Sequence, residues 1–144
     1  MKLYAKTSKP VALNSVEFRL EGRVRSKKNS KQLIVRRGKT RLISSEAFTE
    51  WEASARAQLF LEKRRIENAG FLFPLEGNLG LRITFSMKGR ANEPDLSNLI
   101  EGPQDLLQEL GIIKNDKHIV QIEAIKEMDA IFDGCEMVVY KVGV

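Results

Sequence analysis

Four carboxylates between Asp95 and Asp116 have the chemistry and spacing of a metal-binding or hydrolytic site. Asp95 precedes a predicted helix, Glu101 and Asp105 lie within it, and Asp116 follows it. Asn98, Glu101 and Asp105 recur at intervals of three and four residues, so they share one helix face. Carboxylate oxygens of this kind suit Mg²⁺ or Mn²⁺. The competing interpretation is structural, since acids near a helix start favour the macrodipole and an aspartate can cap a turn.

The helix that carries these acids is predicted over residues 98–110. Ser97 is a good N-cap, an apolar stripe of leucines follows, and Gly111 is a plausible stop. Gly102 and Pro103 interrupt this pattern, because an interior proline removes a backbone hydrogen bond. The sequence therefore predicts either a kink near Gly102 or two pieces, with the second helix beginning at Pro103.

Three short segments of this stretch carry a resemblance to a known family. They are PDLSNL at 94–99, DLL at 105–107 and GIIKND at 111–116. Together they resemble the core motif of the RusA family of crossover-junction endodeoxyribonucleases. The resemblance extends over roughly residues 18–128, but only the central stretch is specific.

Three positions depart from the family pattern. Ser97 stands where the family usually has a second catalytic aspartate, and Asn115 replaces the first acid of a late pair. Glu101 stands where many members have a lysine. Because Glu101 lies one helical turn after Ser97, it is the candidate to return the missing carboxylate to the same place.

The resemblance implies a magnesium-dependent endonuclease that resolves four-way (Holliday) junctions in DNA recombination and repair. It also implies a homodimer, because two symmetry-related strands are cut by two active sites. The expected catalytic residues are Asp95, Asp116 and Glu101. The expected ligands of Mg²⁺, or of Mn²⁺, are Asp95, Glu101, Asp105 and Asp116. No organic cofactor is expected.

A basic segment gives the chain its main electrostatic feature. Residues 22–45 contain no acid and read as a hairpin, with strands at 32–35 and 40–43 and a turn at 37–39. Such a hairpin can follow a phosphate backbone, although a solvated charged loop has the same composition. A Lys28-Asn29 pair also matches a turn of the RusA family. The candidate DNA-binding residues are Lys27, Lys28, Asn29, Lys31, Arg36, Arg37, Lys39 and Asn98.

The composition of the chain agrees with binding to a polyanion and excludes some other classes of protein. The 144 residues carry a net charge of +5, with a pI near 9.4, which favours a polyanionic partner. One cysteine, Cys135, excludes an internal disulfide framework, and we expect it to be buried in a strand. No apolar run is long enough to span a membrane, so a cytoplasmic protein is expected.

Hydrophobic periodicity predicts the remaining elements of a single domain over residues 1–144, with 1–14 as a loose arm or an added edge segment. Strands are expected at 16–24 and 79–88, and a helix at 45–68, capped by Ser44 or Ser45. Strands at 119–126 and 135–142 are expected to form a hairpin around Asp133-Gly134. The predicted fold is α+β, with a small mixed sheet packed with two main helices, as in the RusA family.

Two other functions remain open. The replacements at Ser97 and Asn115 also suit a junction-binding protein that has lost catalysis. A basic RNA-binding protein without metal is the third possibility, and it predicts that the acids are dispersed in the fold. His118 is either a candidate general base or a histidine without a role. Trp51 is expected to pack in the core, in preference to stacking on a nucleobase.

Overall fold

The computed structural model describes residues 14–27, 31–44 and 46–143. Six strands are present in this part of the chain: β1 (Ser15–Glu21), β2 (Lys31–Arg36), β3 (Lys39–Ser44), β4 (Leu79–Ser86), β5 (Ile119–Glu127) and β6 (Gly134–Lys141). The helices are α1 (Glu46–Asn68), α2 (Leu96–Leu99) and α3 (Glu101–Glu109), together with a 3₁₀ helix at Asp116–His118.

A four-stranded mixed sheet forms the centre of the fold, in the order β1-β6-β4-β5. Strand β6 pairs antiparallel with both β1 and β4, whereas β5 is parallel to β4. The parallel pair requires a crossover, which α2 and α3 supply. The predicted α+β class with a small mixed sheet is therefore confirmed.

The expected hairpin between the last two strands is wrong. Strands β5 and β6 lie on opposite sides of β4 and do not pair with each other. Their connection crosses the end of β4, where the Asp129 and Ala130 N–H groups donate to the Gly89 and Met87 carbonyl oxygens at 3.2 and 2.9 Å. The local turn signal at Asp133-Gly134 was overridden because β4 pairs with both strands over their whole length.

The basic hairpin is confirmed and forms a separate two-stranded sheet of β2 and β3. Its turn is Arg37-Gly38, and both residues have positive φ angles, 52° and 75°. Two consecutive residues of this kind match the twist of the flanking strands, which explains the tight connection.

Alternate residues of β4 and one face of α1 form the core. Every second side chain from Leu79 to Met87 is fully buried. Each such side chain contributes on the order of 1.5–3 kcal/mol when it leaves water. The buried residues of α1 are the five that recur at helical spacing: Phe48, Trp51, Ala55, Leu59 and Ile66. Cys135 is buried as expected, and burial raises the pKa of its thiol far above the usual range.

The crossover is broken into two helices, as one of the two sequence interpretations predicted, but the break lies at Ile100 and not at Pro103. Pro103 is the third residue of α3, where its missing N–H costs nothing because no intrahelical acceptor is available there. The N-cap of α2 is Asp95 and not Ser97, and its side chain makes no capping bond.

Gly102 allows α3 to approach the N-terminal half of α1 closely. A Cβ atom at this position would lie 2.9 Å from Cζ3 of Trp51 and 3.4 Å from Cε2 of Phe48. The indole of Trp51 is thus part of the helix packing, so the expectation of a core residue is supported.

Helix α1 also covers the free edge of β1. The Gln58 side chain accepts from the Glu21 N–H at 2.7 Å and donates to the Glu21 carbonyl at 3.0 Å. The Glu62 carboxylate accepts from the Arg19 N–H at 3.2 Å. Among the described strands, β1 has no neighbour on this side, and these side chains bond backbone groups that an edge strand otherwise presents to solvent.

Two other expectations involve residues that are not described. The proposed arm at 1–14 lies outside the described residues except for Asn14, and Ser45 lies outside them as well, while Ser44 is the last residue of β3. In the three described ranges, no helix combines the length and apolar character needed to cross a membrane.

Candidate functional site

The acids of the central stretch form a row along the crossover, with an amide at each end. The Asn98 Nδ2 atom lies 3.5 Å from the Asp95 Oδ2 atom, and the Asp116 N–H donates to Gln108 Oε1 at 2.8 Å. Asn98 belongs to α2 and Gln108 to α3. Along the chain, Asp95 precedes the first of these helices and Asp116 follows the second.

Glu101 and Asp105 occupy the middle of this row, one helical turn apart and both exposed. Asp105 Oδ2 lies 3.6 Å from Lys27 Nζ, at the start of the basic segment. Both side chains of this pair are partly exposed, so the ion pair contributes little to stability. Its value is positional, because it joins the basic segment to the acidic row.

The donor chemistry of the row suits a hard divalent cation. Across the described ranges, no group of three or more His, Cys, Asp and Glu side chains is arranged to hold a metal. A magnesium ion requires oxygen ligands about 2.0–2.1 Å away, so several carboxylates would have to converge to hold one ion. The predicted four-ligand site therefore stays a prediction, and no catalytic step is derived through a metal.

Three basic residues hold the loop that leads into Asp95. Arg23 donates to the carbonyl oxygens of Lys88 and Ala91 at 3.1 and 2.7 Å. Lys126 donates to the Pro94 carbonyl at 2.9 Å. The third, Arg90, donates to Asp129 Oδ2 at 2.7 Å, which raises the pKa of its guanidinium.

The carboxylate next to this loop is also fixed by cations. Lys126 donates to Glu93 Oε2 at 2.8 Å, and Arg90 Nη1 lies 3.2 Å from Glu93 Oε1. The hydrogen bond from Lys126, followed by the nearby charge of both cations, lowers the pKa of the Glu93 carboxyl. Lys126 leaves no signal in the local sequence, because its contacts span more than thirty positions.

Arg23 does not have the role that its place in the basic segment suggested. Its side chain is largely buried, bonds two loop carbonyls and lies 4.0 Å from Asp133. A guanidinium held in this way positions the loop before Asp95 and is not available to a phosphate.

The rest of the basic segment is described only in part. Arg37 is exposed at the tip of the β2–β3 hairpin. The backbones of Lys31, Arg36 and Lys39 lie in this hairpin, but their side chains fall outside the described residues, as do Lys28 and Asn29 entirely. Their predicted DNA contacts stay predictions.

The 3₁₀ helix fixes the last residues of the motif. Asn115 caps it by accepting from the Lys117 N–H at 2.9 Å, which gives the amide a structural use at a position where the RusA family has an acid. Half-buried His118 ends this helix, and its role as a general base stays a prediction.

No protein-family model matches the chain, and no curated protein matches its sequence. The resemblance to the RusA family therefore stays an interpretation of the motif residues.

Proposed function

We propose that this protein is a metal-dependent endonuclease that binds four-way DNA junctions in the cytoplasm and cleaves them as a homodimer. The observation that carries the proposal is the 3.6 Å contact between Lys27 Nζ and Asp105 Oδ2. A phosphodiesterase needs cations for the phosphates next to carboxylates for the chemistry, and this contact joins the two groups.

The acidic row supports the proposal through its composition, and the motif residues 94–99 and 111–116 support it through their resemblance to the RusA family. The four acids are exposed, so their side chains are free to reorient when a phosphate neutralises Lys27. We propose Asp95, Glu101, Asp105 and Asp116 as the residues from which ligands for Mg²⁺ or Mn²⁺ are drawn.

A cleavage assay on a labelled synthetic four-way junction tests the proposal. With Mg²⁺ the wild-type protein should cut two symmetry-related strands, and chelation of the metal should stop the reaction. Asp95→Asn and Asp116→Asn should each lose cleavage but keep binding, because loss of a negative charge near a phosphate does not weaken association.

Glu76→Gln is the matched control, since it neutralises an exposed acid in the loop between α1 and β4, outside the row. It should cleave at the wild-type rate. Glu101→Gln tests whether this glutamate replaces the acid missing at Ser97. If it does, Glu101→Gln should lose as much cleavage activity as Asp95→Asn. Wild-type cleavage by both Asp95→Asn and Asp116→Asn would exclude the acidic row as the catalytic site.

A second candidate is a nucleic-acid-binding protein without catalysis. It is favoured by the lack, among the described residues, of a group of three or more candidate metal ligands, because dispersed acids are what a metal-free binding protein is expected to have. Under this proposal the junction is bound but stays intact in both Mg²⁺ and Mn²⁺. Competition distinguishes its two forms: single-stranded RNA displaces the junction from an RNA-binding protein and fails to displace it from a junction-binding one.

A further inference from the structure

The outward face of α1 carries an apolar stripe. Phe60 and Leu61 are 51% and 67% exposed, and Ala53 and Ala57 next to them are exposed as well. Ala57 lies nine positions before the buried Ile66, which places it on the opposite side of a helix with 3.6 residues per turn. The stripe is thus turned directly away from the core.

A charged residue lies at each end of this stripe. Glu50 lies seven positions before Ala57, and Arg64 lies seven positions after it. At this spacing both share the face of Ala57. Neither forms an ion pair with any residue in the described part of the chain.

The stripe is self-complementary when two copies of α1 cross antiparallel at Ala57. Glu50 of each copy then faces Arg64 of the other, so two opposite-charge contacts form at once. Ala53 and Leu61 lie four positions on either side of Ala57, so a small residue faces a large one in each half. This pattern is what an isologous two-fold interface requires, since the same surface serves both partners.

We propose that α1 is the dimer interface, and that the stripe Glu50, Ala53, Ala57, Phe60, Leu61 and Arg64 packs antiparallel against the same stripe of a second copy. Small residues near the crossing point allow the two helices to approach closely, and Phe60 and Leu61 provide the apolar area. The inference deepens the proposed homodimer, but it depends on none of the acids proposed for cleavage. Its test reads the oligomeric state, so an unchanged dimer in Leu61→Asp would overturn this interface and leave the nuclease proposal intact.

Sedimentation velocity over a range of micromolar concentrations tests the interface. The wild-type chain should be a dimer. Leu61→Asp should be monomeric at the concentrations where the wild type is dimeric, because it buries an unpaired charge. Leu72→Asp is the matched control: this leucine is 87% exposed but lies beyond the end of α1, and its replacement should leave the dimer unchanged.

A charge exchange tests the antiparallel register. Glu50→Arg and Arg64→Glu alone should each raise the dimer dissociation constant about tenfold, since each turns two attractive contacts into repulsive ones. The double variant should return it close to the wild-type value. A monomeric wild type, an unchanged dimer in Leu61→Asp, or a double variant no tighter than the single ones would overturn the proposal. Far-ultraviolet circular dichroism checks that each variant is folded.

Discussion

The role of the Arg23 charge is decided by the groups that its side chain contacts in the fold. Its sequence neighbours make it part of a basic segment, yet its guanidinium bonds the carbonyls of Lys88 and Ala91. These contacts span more than sixty positions, so no local pattern predicts them. By contrast, the contact between Asp95 and Asn98 is local, since the two residues are three positions apart.

We expect Arg23→Gln to destabilise the protein by about 1–3 kcal/mol, because hydrogen bonds to a charged and largely buried group are lost. Urea unfolding measures the change, and amide exchange in residues 88–92 should become faster. Arg25→Gln is the control, because it removes a cation two positions further along. Equal effects of the two replacements would mean that total charge, and not the bonds of Arg23, sets the stability of the loop.

At the scale of elements, local patterns predicted the strands and α1 well and the pairing of the last two strands badly. The alternation from Leu79 to Met87 is unbroken, and all the expected side chains are buried. The turn signal at Asp133-Gly134 is also strong and favours a hairpin. Strands β5 and β6 nevertheless both pair with β4 and not with each other. The break at Ile100 was misplaced for a similar reason, since Gly102 is required by the approach of Trp51 and not by the end of a helix.

The contact between α1 and the edge of β1 predicts a dependence of stability on pH. The pKa of the Glu62 carboxyl is raised, mainly because the group is partly buried. The folded state therefore binds the carboxyl proton more tightly than the unfolded state does. The stabilising contribution is fully present below the unfolded pKa and is lost as pH rises through the folded pKa. Glu62→Gln should therefore gain stability relative to the wild type between acidic and neutral pH, as measured by urea midpoints.

Gln58→Ala is the control for this prediction. It removes the neighbouring pair of edge hydrogen bonds without removing a titratable group, so it should lower stability by a similar amount at every pH. If Glu62→Gln instead follows the wild-type pH curve, the carboxyl of Glu62 is not the group responsible.

At the scale of the whole molecule, the net charge of +5 indicated a polyanionic partner but not where that partner binds. The total cannot reveal that Arg23 is turned inward, or that Lys27 rests against Asp105. The spacing of the acids predicts that they converge on one point, and that convergence stays a prediction. It depends on the path of the chain between Asp95 and Asp116, which is broken at Ile100, and residue spacing alone does not give that path.

Salt dependence measures how many phosphates this surface contacts. The logarithm of the junction association constant should fall with the logarithm of salt concentration by roughly 0.9 per phosphate neutralised. Lys27→Gln should flatten the slope by about one contact, and Asp105→Asn should tighten binding by releasing Lys27. Lys141→Gln, at the end of β6, is the control and should leave the slope unchanged. If Lys27→Gln leaves the salt slope unchanged, the DNA-binding surface lies elsewhere on the protein.

The central place of β6 has a consequence for how the chain is made. Within the sheet, β6 lies between β1 and β4 and pairs with both, although it is the last of the six described strands to be synthesised. A ribosome adds about 5–20 residues per second, so β1 waits for several seconds with an unpaired inner edge. During that time α1 has already emerged and can cover the outer edge of β1 through Gln58 and Glu62. We therefore expect α1 to cover the outer edge of the nascent strand before the sheet is complete.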